Sequence, residues 1–277
     1  MTTYSTQWLE TVARPRSRSW QLPLGATEPL LPWITPEVPP ALKALFQAEG
    51  VAREFAPGEY IYTPSMPLTL MTLVVNGVAG RAFGSMYNQA KQGMALAVAD
   101  RICGGNHTFF SGRPGNGRYF AVTPLKVLIL PNARIKEVMR EDLSFARQMQ
   151  VQLECCIQSD RIGLAANSVL PVQQRIGLYF LSWAFAYGQL EMFDDKEWVK
   201  FDAILPQTQI ARVVSASLIH IKRGFAELKA ADDIRSDAGT TWLKSSVLDP
   251  LWQWLCSNEE PLSDMPRPKD WRQFLKN

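Results

Sequence analysis

Between residues 212 and 229 the sequence carries four basic side chains, Arg212, Lys222, Arg223 and Lys229, against one acidic side chain, Glu227. Guanidinium and ammonium groups donate hydrogen bonds to phosphate oxygens, and arginine can also bind the edge of a base. The excess of positive charge is small, and a solvated helix face would explain it equally well. The choice between the two interpretations depends on the elements that carry these residues.

The pattern around these residues predicts two short helices joined by a tight turn. Apolar residues recur with helical spacing on both sides of the turn, at Ile210, Val213 and Val214 before it and at Ile221, Phe225 and Leu228 after it. Ser217 can cap the second helix by accepting a bond from a free backbone N–H, and Ala211 is small enough to let the helices approach closely. This is helix-turn-helix geometry, and residues 234–243 predict two short strands about a turn, which makes the unit winged.

Composition indicates a globular protein of one large or two ordinary domains. The 277 residues include 29 basic and 26 acidic side chains, so a nucleic-acid site has to rest on a local patch. We find neither a long uncharged apolar run nor a signal-peptide pattern, and we expect a cytoplasmic protein that does not enter a membrane. Four cysteines, Cys103, Cys155, Cys156 and Cys256, have neither metal-finger spacing nor disulfide-scaffold density, and we expect reduced thiols.

Residues 1–40 are interpreted as an arm, because seven prolines argue against a long regular element. Its Trp8, Trp20 and Trp33 are expected to pack on the arm's own chain. Residues 41–141 then contain short apolar runs separated by turn residues, which predicts a compact β unit ending in a brief helix from Asn132 to about Arg140. The pair Asn76-Gly77 predicts a hairpin with a type I′ turn.

Two glycine-rich stretches interrupt this β unit, at 104–110 and 112–118. Glycines before a short helical turn can present backbone N–H groups to an anion, with Arg113 or Arg118 as the counter-charge. A surface loop without a ligand fits the same residues.

A long helix is predicted over 142–169, capped by Asp142 or Ser144. One series recurs every seven residues, Met149, Cys156, Gly163 and Leu170, with a companion series of Ala146, Leu153, Asp160 and Asn167. We interpret Met149, Leu153, Cys156, Asp160 and Gly163 as a dimer seam. The alternative is a single amphipathic helix that lies across its own β domain.

A hinge is predicted at Leu170-Pro171, because proline pushes the preceding residue out of the helical region. The domain over 170–250 should begin with a helix that ends near Gly188 and has a wide apolar stripe, formed by Ile176, Phe180, Trp183, Ala184 and Tyr187. Glu191, Asp194, Asp195 and Glu197 are interpreted as an acidic loop, solvated or holding a cation. Residues 251–277 form a tail to which no role is assigned.

The order of these features resembles the Crp/Fnr superfamily of bacterial transcription regulators over roughly residues 40–248. The residues that carry the resemblance are Pro57-Gly58-Glu59, Asn76-Gly77 and Gly105, followed by Ile210, Ala211, Val214, Ser217, Ile221, Arg223 and Leu228. It implies an α+β fold with a jelly-roll-like β-roll sensor domain, a long dimerisation helix and a C-terminal winged helix-turn-helix DNA-binding domain. It also implies double-stranded DNA, a second copy of the chain as homodimer and RNA polymerase as partners.

For DNA binding, the resemblance points to residues of the two short helices: Thr208, Ser217, Leu218, Ile219, His220, Lys222 and Arg223. Arg223 matches an arginine that contacts guanine in many members. Leu218 and Ile219 stand where the family commonly has an arginine and a glutamate. They either contact thymine methyl groups or indicate that recognition of the base sequence is weakened or lost. Ser215 replaces the usual turn glycine, and Gly224 replaces an apolar core residue.

For effector binding, the resemblance points to Gly105, Asn106, Arg118 and Tyr119. Cyclic-nucleotide-binding members have a glutamate at the position of Asn106 and a serine at the position of Tyr119. We therefore expect no tight binding of cyclic AMP, and the effector is unknown.

Other cofactors and chemistries find little support in the sequence. The cysteine-rich segment of the iron-sulfur members is missing, so that cluster is not expected, and no metal site is predicted. His107 is either a haem ligand or a loop residue, and Cys155-Cys156 is either a redox pair or two small apolar side chains. We see no nucleophile elbow or phosphate loop and expect no enzyme.

Two hypotheses about function remain open. The first is a dimeric transcription regulator of the Crp/Fnr type that binds specific DNA sequences. The second is a non-catalytic scaffold of the same fold that no longer reads DNA and uses Leu218, Ile219 and the tryptophan-bearing arms for protein contacts.

Overall fold

The computed structural model describes residues 4–13, 30–62, 68–82, 93–113, 117–258 and 270–275. The helices are α1 Thr6–Val12, α2 Pro40–Glu49, α3 Asn132–Glu141, α4 Leu143–Val169, α5 Val172–Tyr187, α6 Gln207–Val213, α7 Leu218–Ala230 and α8 Asp249–Asn258. The strands are β1 Val51–Phe55, β2 Tyr60–Tyr62, β3 Leu70–Asn76, β4 Ala79–Ala82, β5 Met94–Ala97, β6 Arg118–Ala121, β7 Leu125–Pro131, β8 Gly188–Phe193, β9 Lys196–Phe201, β10 Ile234–Asp237 and β11 Thr240–Lys244. Predictions for Trp20 and for residues 114–116 lie outside these ranges.

Two antiparallel sheets form the β-roll over residues 51–131. One has the strand order β1-β7-β3 and the other the order β2-β6-β4-β5. Val74 and Val127 from the first sheet pack with Ala79, Tyr119 and Ala121 from the second in a shared apolar core. The predicted α+β fold with a β-roll is confirmed.

The turn at Asn76-Gly77 does not make the predicted hairpin. Asn76 ends β3 in one sheet, and β4 begins at Ala79 in the other, so the turn carries the chain between sheets. Gly77 has φ +88°, and a Cβ there would lie 2.2 Å from the carbonyl oxygen of Pro124. Glycine is therefore needed for a close approach between the two layers.

Helix α4 covers one side of the β-roll. The residues predicted to form a dimer seam lie instead on its inner face, which packs on the rest of the chain. Asp142 caps the helix, accepting bonds from the backbone N–H groups of Ser144 and Phe145. Met149 and Leu153 are buried in a cluster with Phe46 of α2.

The remaining three residues of the predicted seam are also occupied within the chain. Cys156 is buried, Asp160 pairs with Arg81 and His107, and Gly163 lies against Trp33. Since all five seam residues face their own chain, they cannot pair two helices. The alternative of a helix laid across its own β domain describes this face.

The arm joins both halves of the molecule. Trp33 is inserted between α4 and the β-roll, donating from Nε1 to the carbonyl of Gly163 at 3.1 Å, while its own carbonyl accepts from Leu96 of β5 at 2.6 Å. Near the start of the chain, Trp8 donates to the carbonyl of Ile204 at 2.8 Å. Trp8 and Trp33 therefore pack on their own chain, as predicted.

The C-terminal domain begins with α5 after the break at Leu170-Pro171. The predicted stripe of α5 is fully buried, and Gly188 ends the helix. Its sheet has the order β10-β11-β9-β8. The predicted acidic loop is instead the hairpin β8–β9, with Asp194 and Asp195 at φ 50° and 56° in its turn, the conformation that a type I′ turn requires.

The C-terminal domain extends beyond residue 250, where its end was predicted. Helix α8 and the segment around Trp271 also belong to it. Leu251, Trp252 and Leu255 are buried in its core. Arg272 donates to Asp249 at 2.7 Å and also pairs with Glu197 of β9. Residues 251–258 and 270–275 are therefore structural parts of the domain.

Candidate functional site

The two short helices predicted from the basic patch are present as α6 and α7. Between them, Ser215 has φ 51°, a left-handed conformation that favours glycine. The N–H of Ala216 donates to the carbonyl of Ala211 at 2.9 Å and closes the turn. Ser217 caps α7, accepting at Oγ from the N–H of His220 at 3.3 Å.

The residues assigned to DNA binding lie at the surface of these helices. Ile219 is 78% exposed, and the side chain of Arg223 is also 78% exposed. The other exposed members are Thr208, Ser217, His220 and Lys222, whereas Leu218 is half-buried. This surface of α6 and α7 is not covered by any part of the chain that the structure describes.

Arg223 is available for an intermolecular contact despite its ion pair. It donates to Glu227 one turn along α7 at 2.9 Å, and both side chains are well exposed. An exposed pair at this spacing contributes only about 0.3–0.5 kcal/mol. Arg223 can therefore exchange Glu227 for a phosphate or a base edge at little cost.

Gly224 allows α7 to approach α5 closely. A Cβ at Gly224 would lie 2.5 Å from Cδ1 of Ile176 and 2.6 Å from Oε1 of Gln173. The Nε2 of Gln173 also donates to the carbonyl of Gly224 at 3.3 Å. A glycine in place of an apolar core residue is thus explained by close helix packing.

Two of the four residues assigned to effector binding, Asn106 and Tyr119, line a very small cavity. Its volume is about 10 Å³, and its lining includes Asn106 and Tyr119 together with Arg81 and His107. That volume suits about one water molecule, whereas ligand pockets measure roughly 300–1,000 Å³. Gly105, at φ +82°, lies against the backbone of Leu70, where a Cβ would be 2.1 Å from the carbonyl oxygen.

Three polar side chains meet beside this cavity and form what we call the polar cluster: Arg81, His107 and Asp160. Nε2 of His107 lies 2.7 Å from Oδ2 of Asp160, and Arg81 forms a salt bridge with the same carboxylate. The side chains of Arg81 and Asp160 are 8% and 12% exposed. The Arg81 guanidinium also lies 6.0 Å from the ring centroid of Tyr119.

Burial and the neighbouring charges set the pKa values in the polar cluster. Burial is the largest effect on Asp160 and would raise its pKa, but the hydrogen bond from His107 and the charge of Arg81 together hold it below its ordinary value. For His107, burial lowers the pKa, and the charge of Arg81 adds to that effect against the hydrogen bond to Asp160. The stable arrangement is a charged Arg81, a charged Asp160 and a neutral His107.

Arg118 does not line the cavity, which corrects its assignment to effector binding. Successive strand residues point to opposite faces of a sheet, and Tyr119 of β6 points inward. Arg118 and Phe120 therefore point outward, where Arg212 of α6 lies 4.8 Å from the ring centroid of Phe120. The inward cation is Arg81 of β4, which the sequence analysis missed.

Two sequence signals could have indicated the polar cluster. Arg81 is the charged residue in a short strand of small apolar residues, two places after the inward-facing Ala79. Asp160 is a charged residue on the inner face of α4, where the buried polar residues Gln152 and Ser159 are uncharged. A buried cation and a buried anion on neighbouring elements commonly pair, because either one alone would be costly.

The vicinal cysteines are buried in α4. Burial, the largest effect, raises the pKa of the Cys156 thiol to about 12, so the reactive thiolate is scarce at neutral pH. Among the described residues, no group of three His, Cys, Asp or Glu side chains is arranged to hold a metal ion. Of the helices described, none has both the length and the apolar character needed to span a bilayer.

Comparison with known proteins gives structural neighbours only. No protein-family model matches the chain, and no curated protein matches it by sequence. The structure of FixK2 from Bradyrhizobium japonicum superposes with a TM-score of 0.60 at 12% identity, over 78% of this chain and 100% of FixK2. A CooA variant from Carboxydothermus hydrogenoformans gives 0.59 at 14% identity, over 76% and 90% of the two chains.

A third neighbour is the c-di-GMP responsive global regulator CLP, which links cell-cell signalling to virulence gene expression in Xanthomonas campestris. It superposes with a TM-score of 0.56 at 14% identity, over 74% of this chain and 98% of CLP. The architecture of this protein is therefore that of the Crp/Fnr regulators, a β-roll and a winged helix-turn-helix connected by a long helix.

Proposed function

We propose that this protein is a dimeric transcription regulator that binds specific DNA sequences by inserting α7 into the major groove. The observation that carries the proposal is the exposed surface of α6 and α7, where a capped helix presents Arg223, Lys222 and His220 to solvent. In this arrangement Arg223 binds a guanine through its two parallel N–H donors, and Lys222 pairs with a phosphate. Ile219 contacts thymine methyl groups.

The dimer is proposed to form through the outer face of α4. Leu143, Gln150, Ile157 and Leu164 recur there at intervals of seven residues and make up what we call the outer stripe. Ile157 and Leu164 are 52% and 53% exposed in the single chain. Pairing two outer stripes covers these side chains and relates two copies of α7 by two-fold symmetry, which suits a near-palindromic site.

No cyclic nucleotide is proposed to bind inside the β-roll. The cavity that Asn106 and Tyr119 line has a volume of about 10 Å³, and Arg81 in its lining is paired with Asp160. Adding cyclic AMP should leave the melting temperature unchanged, because a ligand raises it only by binding the folded state. A rise that grows with cyclic AMP concentration would contradict this.

The DNA proposal is tested by recovering bound DNA genome-wide and then titrating the recovered duplex with salt. Log affinity should fall linearly with log salt concentration, because bound phosphates release counterions. Arg223→Ala should cost about 1–3 kcal/mol and relax the preference at one base pair, and Lys222→Ala should reduce the salt slope by about one.

A matched control removes a positive charge far from the surface of α6 and α7 that we propose to bind DNA. Arg53→Ala removes an exposed arginine of β1 in the β-roll and should leave both affinity and slope unchanged. If duplex binding is weak, insensitive to sequence and equally affected by Arg53→Ala and Arg223→Ala, the regulator proposal fails. The scaffold hypothesis would then account for the exposed Ile219.

A further inference from the structure

The polar cluster joins three distant parts of the chain. Arg81 belongs to β4, His107 to the loop after β5 and Asp160 to the middle of α4. Through the shared carboxylate of Asp160, both the strand and the loop are tied to the helix. The cluster therefore fixes the position of α4 relative to the cavity of the β-roll.

Stability alone does not explain a buried ion pair at this position. Removing two charges from water is costly, and apolar side chains of similar volume commonly stabilise a core as well or better. Such a pair does, however, penalise any arrangement in which the two charges separate. For α4, sliding or rotating away from the β-roll would leave Arg81 and Asp160 buried without each other.

The position of α4 also influences the position of the turn between α6 and α7. Asn167, two turns after Asp160, donates from Nδ2 to the carbonyl of Val213 at the end of α6, at 3.5 Å. After Pro171, Arg175 of α5 donates to the carbonyl of Val214 at 2.8 Å. Both contacts hold the turn that precedes α7, so α4 and the turn are mechanically coupled.

We propose that Arg81 and Asp160 are positioning residues that replace a small-molecule effector, holding α4 in the arrangement that presents α7 to DNA. The side chains that would have to recognise an effector's charge bind each other instead. This inference rests on the proposed DNA-binding function. It predicts that the protein binds its DNA site without any added ligand.

The test is a double-variant cycle with two separate measurements. Arg81→Met, Asp160→Asn and the double variant are compared by the urea midpoint of unfolding and by the Kd for the recovered duplex. Each single variant leaves one buried charge without the opposite charge and should lower the urea midpoint, whereas the double variant should recover most of that loss. The Kd should remain about tenfold or more weaker in all three variants, because none can fix α4.

If the double variant recovers its urea midpoint but not its Kd, Arg81 and Asp160 position α4 for DNA binding and do more than stabilise the fold. If the double variant regains affinity together with its midpoint, the inference is overturned. Lys43→Met with Asp100→Asn is the matched control, since this pair is 2.7 Å apart and links α2 to the loop after β5 through two residues that are not part of α4. It should change the midpoint and leave the Kd unchanged.

A measurement without DNA distinguishes failure of this inference from failure of the proposed function. Amide hydrogen exchange over residues 207–230 should accelerate in the Arg81/Asp160 double variant, while the strands of the β-roll core keep their protection. Unchanged exchange in α6 and α7 would overturn the inference even if DNA binding is established. Accelerated exchange in a protein that binds no duplex would leave the coupling standing and reject only the DNA proposal.

Discussion

His107 is the member of the polar cluster whose charge can change near neutral pH. His107 contacts the charged Arg81 and Asp160 and hydrogen-bonds with Asn106, and Tyr119, Cys103 and Cys156 lie close enough to feel the charge of Arg81. Burial raises the pKa of Tyr119 and, for both thiols, raises the pKa to about 12, so these three groups stay neutral in the physiological range. A pH effect in this region therefore comes from His107.

Acidification should destabilise the folded protein through this histidine. Because the folded-state pKa of His107 is lowered, the unfolded chain takes up a proton first as the pH falls through about 6.5. The contribution of His107 is thus fully present above that pH and is lost below it, down to the folded-state pKa. Urea midpoints measured between roughly pH 8 and pH 5 should fall over this window.

The comparison variant for this prediction is His107→Asn, which cannot be protonated. Its stability should be lower at pH 8 and should depend less on pH between roughly pH 7 and pH 5. An identical pH dependence in the two proteins would show that other groups cause the fall. Asp160 does not complicate this window, since its lowered pKa places its titration at more acidic pH.

At the scale of single elements, α4 has two faces with different partners. The inner face packs on the β-roll and on Trp33. Its polar residues also form hydrogen bonds within the chain, as Ser159 does by donating to the carbonyl of Ile34 at 3.0 Å. The outer face carries the outer stripe with charged residues between its members, including Arg147, Glu154 and Arg161, all exposed. Of the two faces of α4, the outer one is exposed, and it is the face proposed above to pair with a second copy of the chain.

Leu164→Glu should dissociate the dimer. It places a carboxylate at a position that the proposed interface buries, directly across the two-fold axis from its own copy. We expect the dimer dissociation constant to rise about tenfold or more, as measured by sedimentation equilibrium. Val51→Glu, an equivalent change on the exposed strand β1, should leave the dimer intact.

Two results would contradict the outer-stripe interface. One is a wild-type chain that sediments as a monomer at all concentrations, and the other is a dimer that tolerates Leu164→Glu. The variant is expected to fold, because Leu164 is exposed and makes no contribution to the described core clusters.

At the scale of the whole molecule, the arm binds the β-roll to the C-terminal domain. Tyr4 donates to the carbonyl of Val122 in the β-roll at 3.1 Å, and Trp8 donates to the carbonyl of Ile204 ahead of α6 at 2.8 Å. The hydroxyl of Tyr187 in α5 donates to the carbonyl of Val12 at 3.0 Å. Tyr4 and helix α1 together thus contact both domains, and apolar side chains from both share a single core cluster with Val12.

Deleting residues 1–13 should separate the unfolding of the two domains. The intact chain should unfold in one transition because the shared core and the arm couple its parts, whereas the shortened chain should show two transitions by calorimetry. Trp8→Phe is the milder comparison, since it removes the bond to Ile204 and should cost about 1 kcal/mol without splitting the transition. A single transition in the shortened chain would show that α1 does not couple the domains.

The fold and the exposed surface of α6 and α7 were accessible from the sequence because they depend on local signals. Helical spacing of apolar residues, the Ser217 cap and the strand pattern at 234–243 act over a few residues, and each predicts its element without knowledge of the rest. The break at Leu170-Pro171 and the cap at Asp142 are local in the same way. The hairpin β8–β9 was also encoded locally, but its charged turn masked the alternation of its strands.

What only the tertiary structure decided is which face of each element meets which partner. The heptad series on α4 is real, but a sequence period does not distinguish a face that pairs with a second chain from one that packs on the β-roll and Trp33. The direction of Arg118 depends on how β6 alternates within a sheet whose register is set by strands far away in sequence. Arg81, His107 and Asp160 are brought together by the fold alone. They are separated by up to 79 positions in the sequence, and the residues around any one of them do not identify the other two.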